Sequence, residues 1–128
     1  MANEIKITKT ITYENGQLKY TYQPGTMQLP QATRGIHLQS IAATSVAADV
    51  AVATLGTPGL CVLQNLEPTT TGKTWNWGLK SSTGGIPQYF ALKPKQIAMV
   101  NYGTSAMVIR GQGAAAGTVI VQVLTFEA

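Results

Sequence analysis

Charged side chains are scarce in this sequence: nine lysines and arginines and five aspartates and glutamates, 11% of 128 residues, against roughly a quarter in an average globular protein. Disorder requires high net charge with few apolar residues, but 45% of this chain is apolar, enough to bury a core at single-domain length. The net charge of +4 reflects a shortage of acids more than a surplus of bases. The bases are scattered, with only Lys93 and Lys95 close together. No basic stripe or arm follows, so direct binding of nucleic acid is not expected. Cys61 is the only cysteine, which excludes a disulfide framework and a thiolate metal site and fits folding in a reducing cytosol. One histidine and the dispersed carboxylates Glu4, Glu14, Asp49, Glu67 and Glu127 provide neither a metal cluster nor an acid pair for glycoside chemistry. No cofactor is expected. The N-terminus has no apolar core of signal-peptide length, and the stretch from Val46 to Leu55 is broken by Asp49 and too short to span a bilayer. Neither membrane insertion nor secretion by an N-terminal signal is expected.

What the sequence does have is alternation. Ile5, Ile7, Ile11 and Tyr13 fall on one face of an extended segment, with Lys6, Thr8, Thr10 and Thr12 on the other. Asn15-Gly16 then predicts a type I′ turn, and Leu18, Tyr20 and Tyr22 return on one face opposite Lys19 and Thr21. An N-terminal hairpin within residues 1–23 follows, closed by Pro24-Gly25. A connection from Met27 to Gly35 leads to a strand over 36–41, and 45–55 reads as a strand whose alanines would also permit a helix. Further strands are predicted at 60–66, 74–79, 89–92, 97–102, 106–110 and 118–126. That makes about ten short strands at spacings of roughly 8–12 residues, the pattern of an all-β antiparallel sandwich or barrel forming one domain over 1–128.

The segments that could carry chemistry do not build a site. Thr69-Thr70-Thr71-Gly72-Lys73-Thr74 resembles the end of a phosphate loop, but Glu67 stands where the first glycine belongs. The following Trp75-Asn76-Trp77-Gly78 reads as a strand rather than an anion-receiving helix. His37, Asp49 and Cys61 would be the members of a nucleophilic triad, yet Cys61 sits in an apolar strand, where a thiol is an inert small hydrophobe. No catalytic residue is assigned and the chain is not expected to be an enzyme. Trp75, Trp77 and Tyr89 could form an aromatic platform for sugars; packing in the core is the preferred reading.

Four segments, Val62-Leu63-Gln64-Asn65-Leu66-Glu67-Pro68-Thr69, Trp77-Gly78, Phe90-Ala91-Leu92-Lys93-Pro94 and the strand from Thr118 to Phe126, carry a likeness to known proteins. Through them the chain from Gly59 onward resembles a family of small structural virion proteins of tailed bacteriophages. The family pattern continues Leu-Lys-Pro with Gly-Glu, and this chain departs from it at Lys95-Gln96. The resemblance implies a sandwich of jelly-roll type and a structural, non-catalytic role. The expectation is a capsid decoration or cement protein made in the host cytoplasm and bound outside the phage head. Its partners would be its own copies, as a homotrimer, and the major capsid protein. A tail, fibre or baseplate component and a carbohydrate-binding module are the alternatives. The N-terminal hairpin is the candidate contact, with Ile5, Ile7, Ile11, Leu18, Tyr20 and Tyr22 as its apolar anchors.

Overall fold

The computed structural model describes residues 4–30, 35–51, 58–81, 86, 89–102, 107–114 and 117–127. These form twelve strands and one 3-10 turn, and they divide into two compact units, Met1–Arg34 and Gly35–Ala128.

The first unit is an arm of four antiparallel strands: β1 (Glu4–Thr8), β2 (Ile11–Asn15), β3 (Leu18–Tyr22) and β4 (Thr26–Pro30). β2 pairs with β3, and β1 pairs with β4. The expected hairpin is therefore longer than residues 1–23, and the segment read as a connection from Met27 supplies its last strand. Two residues separate β1 from β2 but three separate β3 from β4, so the return side carries one extra residue, a bulge. Gly25, with φ +87°, and Pro24, which has no amide hydrogen, sit at that bulge. The tip differs from the expected turn. Asn15 pairs with Leu18, which leaves Gly16 and Gln17 as the loop, and of these only Gly16 has a positive φ. A glycine at the first central position is the type II′ arrangement, with the same strand-compatible twist as type I′.

The second unit is an eight-stranded sandwich. Its strands are β5 (Ile36–Ala43), β6 (Ala48–Asp49), β7 (Pro58–Asn65), β8 (Trp75–Leu79), β9 (Phe90–Leu92), β10 (Ile97–Asn101), β11 (Ile109–Gly113) and β12 (Val119–Glu127). One sheet has the order β10-β7-β12-β5 and the other β6-β11-β8-β9. This is the jelly-roll order, with the first strand beside the last in one sheet and the second beside the penultimate in the other. All pairs are antiparallel. The expected strand at 106–110 lies later, at Ile109–Gly113, and 45–55 contributes only Ala48–Asp49 among its described residues.

The core sits between the two sheets. Along β12, Val119, Val121, Val123 and Thr125 are buried while Ile120 is exposed, the alternation of a central strand with one inner face. Cys61 and Leu63 meet them from β7, and Trp75, Trp77 and Ile109 from the opposite sheet. The indoles of Trp75 and Trp77 stack at 6.5 Å with an interplanar angle of 17°. Gly111 makes this possible: a β-carbon there would collide with the Trp75 ring, so the indole rests on bare backbone.

Candidate functional site

The buried polar groups of the sandwich work as structural ties. Asn65, fully buried at the end of β7, donates from Nδ2 to the carbonyls of Lys73 and Leu92, each at 2.9 Å. Its Oδ1 accepts from the Glu67 amide at 2.9 Å. Glu67 in turn accepts from the Ile120 amide at 3.0 Å, while the Leu66 amide donates to the Ile120 carbonyl. The Asn-Leu-acid-Pro segment thus joins β7, β9, β12 and the loop before β8. Removing its amide or carboxylate would leave buried backbone groups unpaired, at about 1–3 kcal/mol each.

The loop at 69–74 holds no anion cradle. Thr69–Thr71 form a 3-10 turn, Gly72 is left-handed at φ +64°, and the strand β8 follows. Lys73 Nζ donates to the Thr118 carbonyl at 3.1 Å, which ties the loop to β12. Beside it an open groove of about 410 Å³ is lined by Thr69, Gly72, Thr74, Lys93, Pro94 and Gln96. A smaller hollow of about 70 Å³ lies under the 44–50 loop, against Ile41, Ala43, Val50, Trp75 and Gly111. It has room for only a water molecule or two.

His37, Asp49 and Cys61 do not converge. Asp49, at the edge of the β6 sheet, is paired with Lys80 at 2.9 Å and Arg110 at 3.2 Å. Arg110 also donates to the Ala47 carbonyl at 2.9 Å, so this trio fastens the short strand β6. Cys61 is buried in β7, and its Sγ lies 3.6 Å from the Thr125 hydroxyl, which donates to it. Burial pushes the thiol above its ordinary range, which keeps it protonated and unreactive; the Thr125 hydrogen bond opposes this more weakly. Thr125 stands between Cys61 and His37 in the register, so His37 and Cys61 are two strands apart, roughly 10 Å. Tyr102, which the sequence reading passed over, is also buried, and its hydroxyl has no hydrogen-bond partner among the described residues. Desolvation raises its pKa, with a smaller contribution from Cys61. Among the described residues no three His, Cys, Asp or Glu side chains gather to hold a metal ion.

Trp75 and Trp77 are 1% and 8% exposed, so neither presents a ring face to a ligand. Tyr89 and Phe90 are exposed; Phe90 packs on Trp77 at 5.3 Å between centroids.

The sequence-predicted contact residues lie in the arm. Ile5 and Ile7 of β1 are partly buried, whereas Ile11, Leu18, Tyr20 and Tyr22 are exposed. The register pairs Ile11 with Tyr22, Tyr13 with Tyr20 and Asn15 with Leu18 across the hairpin. Directly paired residues share a face, so these six side chains form one uncharged, tyrosine-rich face. Thr12, Glu14, Lys19 and Thr21 make the other, where Lys19 and Glu14 are 3.9 Å apart. The bulge adds a hollow of about 270 Å³ lined by Ile7, Lys9, Pro24, Gly25 and Thr26. No protein-family model matches the chain, and no curated protein sequence matches it.

Proposed function

We propose that this chain is a non-enzymatic structural protein of a tailed-phage particle, a decoration or cement protein that binds the outer shell through its N-terminal arm. The observation that carries this reading is the arm itself. Its hairpin β2–β3 exposes every residue, including Ile11, Tyr13, Leu18, Tyr20 and Tyr22. A two-stranded hairpin is marginal in water, and burying those side chains on a partner supplies the missing stabilisation. Tyrosines suit such a contact because they bring large area at low entropy cost and keep a hydroxyl for the rim. The likeness of the Val62–Thr69 and Phe90–Pro94 segments to small virion proteins supports the major capsid protein as the partner. The scarcity of charge and the structural use of Asn65, Glu67 and Asp49 favour a binding role over catalysis.

Deleting residues 1–34 tests it. The jelly roll has its own two sheets and core, so the truncated protein is expected to give a β-type circular dichroism spectrum and a cooperative melt. It should no longer bind undecorated heads, with occupancy falling to background. Heads decorated normally by the folded truncated protein would overturn the assignment of the arm. Electron microscopy of particles carrying the full chain should place its density on the head exterior; density confined to the tail would replace the decoration reading with a tail component.

A further inference from the structure

The outer face of the β10-β7-β12-β5 sheet lacks the polar coat that a solvent-facing sheet surface ordinarily has. The register sets Met99, Val62, Leu124 and Leu38 in one row across all four strands. The row on one side is Ile97, Gln64, Gln122 and Ser40; on the other, Phe126 stands beside Ile36. Antiparallel sheets with one wet face alternate apolar inward and polar outward, yet here the middle row is apolar on every strand. Ile36, Leu38 and Ile97 are each about 60% exposed. None of these side chains is ionisable. Asp49, Lys80 and Arg110 lie at the other sheet and Lys73, Lys93 and Lys95 in loops, while Glu67 follows β7 and Glu127 ends β12, their carboxylates accepting from the Ile120 and Gly35 amides.

We propose that this face binds a second copy of the chain, sheet against sheet across a two-fold axis. A two-fold contact sets a surface against itself, so any charge on it is brought toward its own like. A chain with net charge +4 can meet its own copy at least cost where ionisable groups are absent, and this face meets that condition. A polyanion would require cations here, and a strongly charged protein would require opposite charge; the face offers neither. Gln64 and Gln122 supply amide donors and acceptors able to pair with their equivalents, beside aliphatic rows that interdigitate at the usual spacing of about 10 Å between packed sheets. Four strands about 4.8 Å apart and rows about 7 Å apart make a footprint of roughly 20 Å on each side. Two such footprints bury on the order of 1,000 Å² in total, the threshold of specific association. The residues of this face are distinct from those proposed to bind the shell.

Sedimentation velocity of the purified full-length protein, without shells, tests the proposal over a concentration series. The expected species is a dimer, where the resemblance implied a homotrimer. Leu38→Lys and Ile97→Lys change exposed positions at opposite edges of the face, so thermal melts should show both folded, with the dissociation constant raised at least about tenfold. Leu79→Lys, an exposed apolar position on the other sheet, and Tyr20→Glu, on the arm, should leave the dimer intact. Added salt should leave the affinity unchanged or tighten it, because it screens only the repulsion between two positive copies. A monomer at every concentration would overturn the proposal. So would a dimer indifferent to Leu38→Lys and Ile97→Lys, or one lost equally with Leu79→Lys or Tyr20→Glu. Because no shell is present, these outcomes are independent of whether the arm binds one.

Discussion

Lys95 is the one described residue other than glycine with a positive φ, at +66°. It occupies the third position of a turn closed by the Gln96 amide donating to the Lys93 carbonyl at 3.0 Å. Pro94 precedes it, so the turn has type II character, which favours glycine at that position. This is where the chain departs from the Leu-Lys-Pro-Gly-Glu pattern that the proposed likeness to virion proteins would lead one to expect. The departure preserves the backbone: Gln96 Oε1 accepts from the Lys93 amide at 2.9 Å, a bond that a glutamate could also make. Lys95 gains a hydrogen bond to the Leu66 carbonyl at 3.1 Å, but at an exposed site that bond is weak compensation for the left-handed backbone. Lys95→Gly is therefore expected to stabilise the protein by about 0.5 kcal/mol, relief of strain exceeding glycine's extra unfolded-state entropy. Urea unfolding would show a higher midpoint at unchanged slope; a lower midpoint would mean that the Leu66 tie outweighs the strain. The turn was legible in Lys93-Pro94-Lys95-Gln96, whereas the work of Asn65 was not. Its partners lie at positions 67, 73 and 92, and no local pattern reports bonds across such separations.

The elements that the sequence announced clearly are those whose side chains alternate. β12 has apolar residues two apart at 119, 121 and 123, and the arm hairpin at 11, 13, 18, 20 and 22; β12 forms within one residue of the expected range, and β2 and β3 lie inside the expected 1–23. β11 was misplaced because its signal is inverted: Gly111 and Gly113 are buried residues with no side chain to register as apolar. Their smallness becomes meaningful only once Trp75 lies opposite Gly113 and over Gly111, a relation that the pairing of β8 with β11 creates. The strand β4 was hidden for a similar reason, since Pro24-Gly25 and Pro30 frame it with residues that read as loop. The same glycine yields a sharp test of the packing. In Gly111→Ala the new methyl meets the ring of Trp75, which is 1% exposed and must shift to admit it. Overpacking of that kind costs about 3 kcal/mol. The expected result is a lowered urea midpoint together with a change in the near-ultraviolet tryptophan signal. An unchanged midpoint would show that the two sheets can slide apart to admit the methyl.

At the scale of the whole molecule, stability is invested in an interior that carries few ionisable groups, and this fixes how the protein responds to pH. Cys61 and Tyr102 are the described groups whose burial raises their pKa, from ordinary values of 9.0 and 10.0. Both are neutral when protonated, so the folded chain holds their protons more tightly than the unfolded chain does. Stability from this source is complete below pH 9 and is lost as pH rises, first as the unfolded thiol ionises and then as the unfolded phenol does. Each group contributes a slope of up to about 1.4 kcal/mol per pH unit until its folded-state value is reached. Unfolding free energy should therefore hold level between pH 7 and pH 8 and fall beyond pH 9. The informative quantity is the difference between variant and wild type. Tyr102→Phe removes the buried hydroxyl that lacks a partner among the described residues, and is expected to be neutral or stabilising by up to about 1 kcal/mol at pH 7. Above pH 10 its advantage over wild type should widen with pH, because one ionisation no longer favours the unfolded chain. A difference that stays constant from pH 7 to pH 11 would mean that the Tyr102 phenol titrates alike in both states, and that its surroundings are wetter than its burial implies.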